Sequence, residues 1–128
     1  MDPGYIRDLF ASFRPVTVRR MFGGAGIFAD GVMFGLVADD VLYLKADDGN
    51  ADDFDRESLP PFQYQAKNGK RVVMSYRKMP DRLYDDPDEL ALWAARSLSV
   101  AQRKASPKQG NARTGRQIKS GKRSPGSG

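Results

Sequence analysis

Residue types that could do covalent or acid–base chemistry are few in this chain. Its 128 residues include no histidine and no cysteine, so the usual general base near neutral pH, the thiol nucleophile and the commonest transition-metal ligands are missing. Ser75 and Tyr76 share one predicted strand, and Lys45 or Arg77 nearby could complete a Ser–Lys or Tyr–Lys pair. Nothing in the spacing requires such a pair. We therefore expect no catalytic residue, and an enzyme using Ser, Tyr or Lys is the second alternative function.

A glycine-rich turn is the main candidate for a binding site. Residues 19–28 are too irregular for a helix and too apolar for a free loop, so they predict a strand, a tight turn and a second strand. Cations and backbone N–H groups at this turn could bind an anion or a partner carboxylate. The alternative is an ion pair inside the protein with the acidic residues 47–57. Alternation along a strand places the two arginines on opposite faces. The candidate residues are Arg19, Arg20, Gly23, Gly24 and Gly26.

The same glycines fit a dinucleotide-binding fingerprint only formally. Gly24, Gly26 and Ala29 have the required spacing, but the fingerprint needs a helix directly after the turn. Here Asp30-Gly31 and another strand follow. We expect no cofactor.

A calcium loop is suggested by Asp48, Asn50 and Asp52 at alternate positions. Position six would be Asp53, where the loop needs glycine, and position twelve would be Leu59, where a bidentate glutamate belongs. We expect no metal site, and we interpret this segment as a solvated acidic loop.

The charge of the chain changes abruptly near residue 103. Residues 1–102 carry 13 Lys and Arg against 16 Asp and Glu, whereas residues 103–128 carry eight basic residues and no acidic one. We predict one folded domain at residues 1–103 and a disordered basic tail at residues 104–128. The tail either binds DNA or RNA weakly and without sequence preference, or only solubilises the protein. Its candidate residues are Arg103, Lys104, Lys108, Arg113, Arg116, Lys119, Lys122 and Arg123.

The first half of the domain predicts a helix followed by strands. Asp2 and Pro3 form a helix start, and an apolar stripe from Ile6 to Phe13 continues it to about Arg14. Short turns, including Asp30-Gly31, then join successive strands. Connections this short favour an antiparallel meander.

The second half predicts another hairpin and a long helix. Phe54 anchors a loop or short helix, and Asn68-Gly69 turns the hairpin. Asp86 is the predicted N-cap of the last helix, with Glu89 completing a capping box. The fold class is therefore α+β, a mostly antiparallel meander sheet of about five to six strands flanked by an N-terminal and a C-terminal helix. The buried stripe of the last helix comprises Leu90, Trp93, Ala94, Ser97, Leu98 and Ala101.

No apolar run approaches the roughly 18 residues of a membrane span, and acidic Asp2 stands where a signal peptide would be basic. We expect a cytoplasmic protein without membrane contact.

Four blocks in this order resemble the N-terminal domain of the TfoX/Sxy family, over roughly residues 5–102. They are residues 19–34, with Arg-Arg-Met-Phe-Gly-Gly-x-Gly-Ile-Phe-x-Asp-Gly-x-Met-Phe; residues 42–46, Leu-Tyr-Leu-Lys-Ala; residues 74–76, Met-Ser-Tyr; and residues 85–94, with Asp-Asp-Pro-Asp-Glu-Leu and Trp-Ala. The resemblance implies a bacterial α+β domain. The family includes competence regulators that act as transcriptional co-activators and are not known as enzymes. In place of their second, C-terminal domain we expect only the short basic tail.

We thus expect a non-enzymatic regulatory or interaction domain that binds a protein partner through its sheet and the turn from Arg19 to Gly26, with the transcription machinery as one candidate. The tail would add weak electrostatic attraction to DNA or RNA. The first alternative is a small nucleic-acid-binding protein that acts mainly through its tail.

Overall fold

The structure is a computed structural model that describes residues 1–21 and 23–105. Phe22 of the glycine turn and the predicted tail from residue 106 onward lie outside the described residues. The helices are α1 (Pro3–Leu9), α2 (Ala51–Asp55), a 3-10 helix (Asp81–Asp85) and α3 (Pro87–Ala105); the strands are β1 (Thr17–Met21), β2 (Gly24–Ala29), β3 (Val32–Ala38), β4 (Val41–Lys45), β5 (Pro61–Gln65) and β6 (Arg71–Lys78).

Helix α1 begins as predicted but ends early. Asp2 accepts a hydrogen bond from the Tyr5 N–H over 3.1 Å, which confirms it as the N-cap. The prediction of a helix to Arg14 was wrong, because tighter turns replace it after Leu9, with the Phe13 N–H donating to the Phe10 carbonyl. These turns place the Phe13 ring 5.8 Å from the ring of Phe34.

The strands form one antiparallel sheet in the order β1-β2-β3-β4-β6-β5, which confirms the predicted α+β class. The Asp30-Gly31 turn has φ of 52° and 77°, and the next turn, Asp39-Asp40, has φ of 51° and 63°. These left-handed values are those of tight hairpin turns, where glycine and aspartate are favoured. The first four strands are a meander. The last hairpin then joins through β6, which leaves β5 at the edge.

A β-bulge in β3 decides which side chains face the helices. Phe28 pairs with Met33 and Ile27 pairs with Gly35, so Phe34 is an extra residue in the ladder. Its ring is fully buried against Phe10, at 5.5 Å and nearly perpendicular.

Helices α1 and α3 cover the same face of the sheet and close a single core. All six residues of the predicted α3 stripe are buried, and Phe54 of α2 packs edge-on against Trp93 at 5.1 Å. Asp86 caps α3 by accepting from the Glu89 N–H over 3.1 Å. The predicted capping box is wrong, because the Glu89 carboxylate binds Arg82 and Trp93 and the Asp86 N–H donates to Leu83. Within the described residues, the helices are too short or too polar to span a bilayer.

Candidate partner-binding site

The face of the sheet opposite the helices, called here the open face, is largely apolar. Register places Gly26, Leu36 and Tyr43 side by side across β2, β3 and β4. Neither α1 nor α3 covers them, since both helices pack on the residues of the opposite face. The sheet therefore has two apolar faces and helices on one.

A groove of about 240 Å³ lies in the open face. Three of the five methionines in the chain contribute to it. Methionine is flexible and polarisable, and it is overused at binding surfaces that adapt to their ligands. The side chains that shape the groove are those of Met21, Met33, Met74, Leu36, Phe62 and Tyr64.

Gly26 lies at the floor of this surface. A Cβ on Gly26 would stand 2.9 Å from the methyl carbon of Met21 and 3.0 Å from the sulfur of Met33. The absent side chain therefore lets these methionines close over β2. Close packing of the methionines explains the glycine at position 26 better than a contact with a ligand does.

Aromatic side chains form one wall of the groove. Phe62 packs edge-on against Tyr43 at 5.1 Å and lies 6.1 Å from Tyr64. Tyr64 is 46% exposed, although its ring is one of the largest apolar groups on the sheet. Amphipathic rings of this kind are enriched at protein interfaces.

Cations flank the apolar surface and lie over its rings. The guanidinium of Arg19 is 5.2 Å from the centre of the Phe28 ring, and the Lys45 ammonium is 4.9 Å from the centre of the Tyr76 ring. Burial, aided by the nearby Lys104 charge, lowers the pKa of Lys45, while Asp47 opposes the shift. Burial raises the pKa of Tyr76.

The Ser–Lys or Tyr–Lys pair considered from the sequence does not form a proton-transfer pair in the structure. Lys45 contacts the face of the Tyr76 ring, and the raised pKa makes that phenol harder to ionise. Ser75 is exposed and precedes Tyr76 on the strand, so it lies on the opposite face of the sheet. Arg77 binds Asp55 over 2.8 Å and the Leu59 carbonyl.

The five residues predicted at the glycine turn separate onto two surfaces. Arg19 and Gly26 belong to the open face, and Arg20 and Gly23 line a second cavity of about 450 Å³ beside α1. Gly24 lines both this cavity and the groove. The prediction that the arginines face opposite sides is confirmed. Gly23 is exposed with φ of 74°, as a tight turn requires.

Carboxylates already occupy the surroundings of the second cavity. Asp39 and Asp40 line it, and the N-terminal ammonium lies 2.7 Å from Asp40. These charges oppose the binding of an anion there. Among the described residues, neither Arg19 nor Arg20 forms the alternative ion pair with residues 47–57; the arginines that do are Arg56, Arg77, Arg82, Arg96 and Arg103.

Of the residues suggested for a calcium loop, Asn50 binds backbone groups instead. The Asn50 amide donates to the Lys45 carbonyl over 3.0 Å and accepts from the Asp47 N–H over 2.9 Å. Across the part of the chain that the structure describes, no cluster of three acidic or other metal-ligating side chains is present.

Two of the eight predicted tail cations belong to α3. Arg103 lies 3.3 Å from Asp47, and Lys104 follows it in the helix. The other six, Lys108, Arg113, Arg116, Lys119, Lys122 and Arg123, lie outside the described residues.

Sequence reasoning did not identify the groove. The available signal was the run of apolar residues in β3 and β4, which is typical of a sheet that buries both faces, together with too few helices to cover both.

Comparison with known proteins identifies the family of this chain. The protein-family model of the TfoX N-terminal domain matches residues 8–101 of this 128-residue chain. No curated protein matches the chain. Because the matched span covers most of the sequence and every strand of the sheet, the chain belongs to the TfoX N-terminal domain family.

Proposed function

We propose that this chain is a non-enzymatic regulatory domain that binds a protein partner on its open face. One observation carries the proposal: a methionine-lined apolar groove with exposed Tyr64 on the face that the helices leave uncovered. Large apolar and aromatic groups of this kind supply most of the free energy of protein interfaces.

A role in transcription is the finer part of the proposal. Competence regulators of the TfoX/Sxy family act as co-activators, which work by binding other proteins. Membership of the TfoX N-terminal domain family supports this role. Components of the transcription machinery are the first partners to test.

The test is protein capture by the tagged full chain after nuclease treatment. Met74 and Val73 are consecutive on β6, yet Met74 lines the groove and Val73 is 60% exposed on the other face. We expect Met74→Glu to lose the captured protein and Val73→Glu to keep it. Tyr64→Ala, with Gln63→Ala as its control, repeats the comparison without placing a charge in the groove.

Equal capture by both members of each pair would overturn the proposal, provided that circular dichroism shows all four variants folded.

Nucleic-acid binding through the tail is the second candidate function. It is favoured by the eight basic and no acidic residues of positions 103–128.

A further inference from the structure

A row of paired residues crosses five strands of the open face, with an apolar middle and a cation at each end. At the usual strand spacing its four steps span about 19 Å. From β1 at one edge of the sheet to β6, the row is Arg19, Gly26, Leu36, Tyr43 and Lys78.

The open face carries positive charge with almost no neutralising partner. None of the six strands contains an aspartate or glutamate. Lys45 adds a third cation to Arg19 and Lys78. Among these three in the described chain, Lys78 lies 3.7 Å from the exposed Asp81, and the charge of Asp47 acts on Lys45. Such contacts at the surface contribute little.

The charge pattern argues against occupants from this chain. Two copies meeting open face to open face would bring like cations together. The sequence of residues 103–128 is itself basic, and Ile118 is its one bulky apolar residue. Neither would complement the flanks of the groove.

Apart from the exposed Tyr64, the rings of the open face are poorly placed for stacking on bases. A stacking platform needs free ring faces. Here Arg19 covers Phe28, Lys45 covers Tyr76, and the rings of Phe62 and Tyr43 pack edge to face.

We propose that the open face binds an acidic amphipathic segment of the partner, in which bulky apolar side chains enter the methionine groove and carboxylates meet the flanking cations. This inference rests on the proposed function and specifies the partner's chemistry. A helix spanning the row would need about 13 residues at 1.5 Å each. Its apolar residues would recur at helical spacing and its acidic residues would border them.

The test is methionine-methyl NMR on the full chain with two model peptides of about 14 residues. Both carry leucine on one helical face; one has glutamate and the other lysine at the remaining positions. We expect the glutamate peptide to shift the methyl signals of Met21, Met33 and Met74 saturably. The signal of Met79, which is buried in the helix-side core, is the internal control. It should stay in place if the peptide binds in the groove and does not change the protein as a whole.

Charge reversal supplies the second part of the test. The lysine peptide should bind at least about tenfold more weakly, and Arg19→Glu or Lys78→Glu should each weaken the glutamate peptide about threefold. Arg71→Glu, on the opposite face of β6, should leave the groove signals unchanged.

Equal binding of the two peptides, or no groove shift with the glutamate peptide, would overturn the inference. A shift produced by single-stranded oligo(dT) instead would assign the face to nucleic acid. Loss of partner capture by Met74→Glu would still support the proposed function in either case, so the two failures are distinguishable.

Discussion

Asn50 and Ser97 donate hydrogen bonds to the same acceptor, the carbonyl oxygen of Lys45, over 3.0 and 2.9 Å. Both side chains are buried, Asn50 beside the start of α2 and Ser97 in the middle of α3. They tie both helices to the end of β4. The side chain of Lys45 lies on the open face, so these bonds on the helix side also fix the position of a cation that flanks the groove.

We predict that Ser97→Ala lowers the free energy of unfolding by about 1 kcal/mol and Asn50→Ala by about 2 to 3 kcal/mol, because Asn50 also accepts from the Asp47 N–H. The double variant should lose more than the sum by about 1 kcal/mol, since each single variant keeps one side-chain donor for Lys45. Urea denaturation of the four proteins measures this cycle. Strict additivity would mean that the shared acceptor has no energetic consequence.

Alanine should cost much more stability at Gly24 than at Gly26. A Cβ on Gly24 would stand 2.0 Å from the Val37 carbonyl oxygen, so β3 must move, and we expect a loss of roughly 3 kcal/mol. At Gly26 the nearest atoms are ends of the Met21 and Met33 side chains, which can rotate, so the loss should stay within about 1 kcal/mol. Thermal and urea unfolding compare the two variants. Similar losses at both positions would contradict the difference between backbone and side-chain obstruction.

Arg82 should make stability depend on pH in the acidic range. It binds Glu57 over 2.9 Å and Glu89 over 2.7 Å, and these bonds hold the pKa of both carboxyls below the usual 4.5. Because the folded pKa values are lowered, the stabilisation is complete above the unfolded value and is lost as pH falls through the folded values. Salt should weaken it, since these side chains are partly exposed.

We therefore expect Arg82→Gln to be less stable than the parent at pH 7, with a deficit that shrinks as pH falls below the usual glutamate pKa and vanishes once both carboxyls are protonated. Arg20→Gln is the matched control, because Arg20 forms no ion pair among the described residues. A deficit that persists unchanged at acidic pH would assign the effect to packing of the Arg82 stem over Trp93, whose ring centre is 6.0 Å from the guanidinium.

Features governed by neighbouring residues were predictable from the sequence. The turn at Asp30-Gly31 follows from the positive backbone φ that these residue types accept. Asp86 caps α3 because the first N–H groups of a helix need an acceptor. The buried stripe of α3 follows from helical periodicity. Glu89 was predicted to complete a local capping box, but Arg82 outcompetes the backbone for its carboxylate and joins it to Glu57, 25 residues from Arg82. Sequence spacing carries no information on such a contact.

The groove depended on an irregularity that alternation cannot reveal. Simple alternation would place Phe34 and Leu36 on the same face of β3. The bulge at Phe34 changes this parity, so that Phe34 enters the core while Leu36 lines the open face. The pairing of β4 with β6 rather than β5 also brings Met74 into the groove, and this order is set by tertiary packing.

The basic tail should contribute nucleic-acid affinity but no partner specificity. Removing residues 106–128 keeps every described element, and it should abolish retention on a DNA column at about 50 mM salt while leaving protein capture intact. In the full chain the slope of log K against log salt should be no steeper than about −7, the limit for eight phosphate contacts. Replacing Arg113 and Arg116 by glutamine should reduce the slope by about 2. Unchanged retention after truncation would exclude the tail as the nucleic-acid site, and loss of protein capture would move the partner site from the open face to the tail.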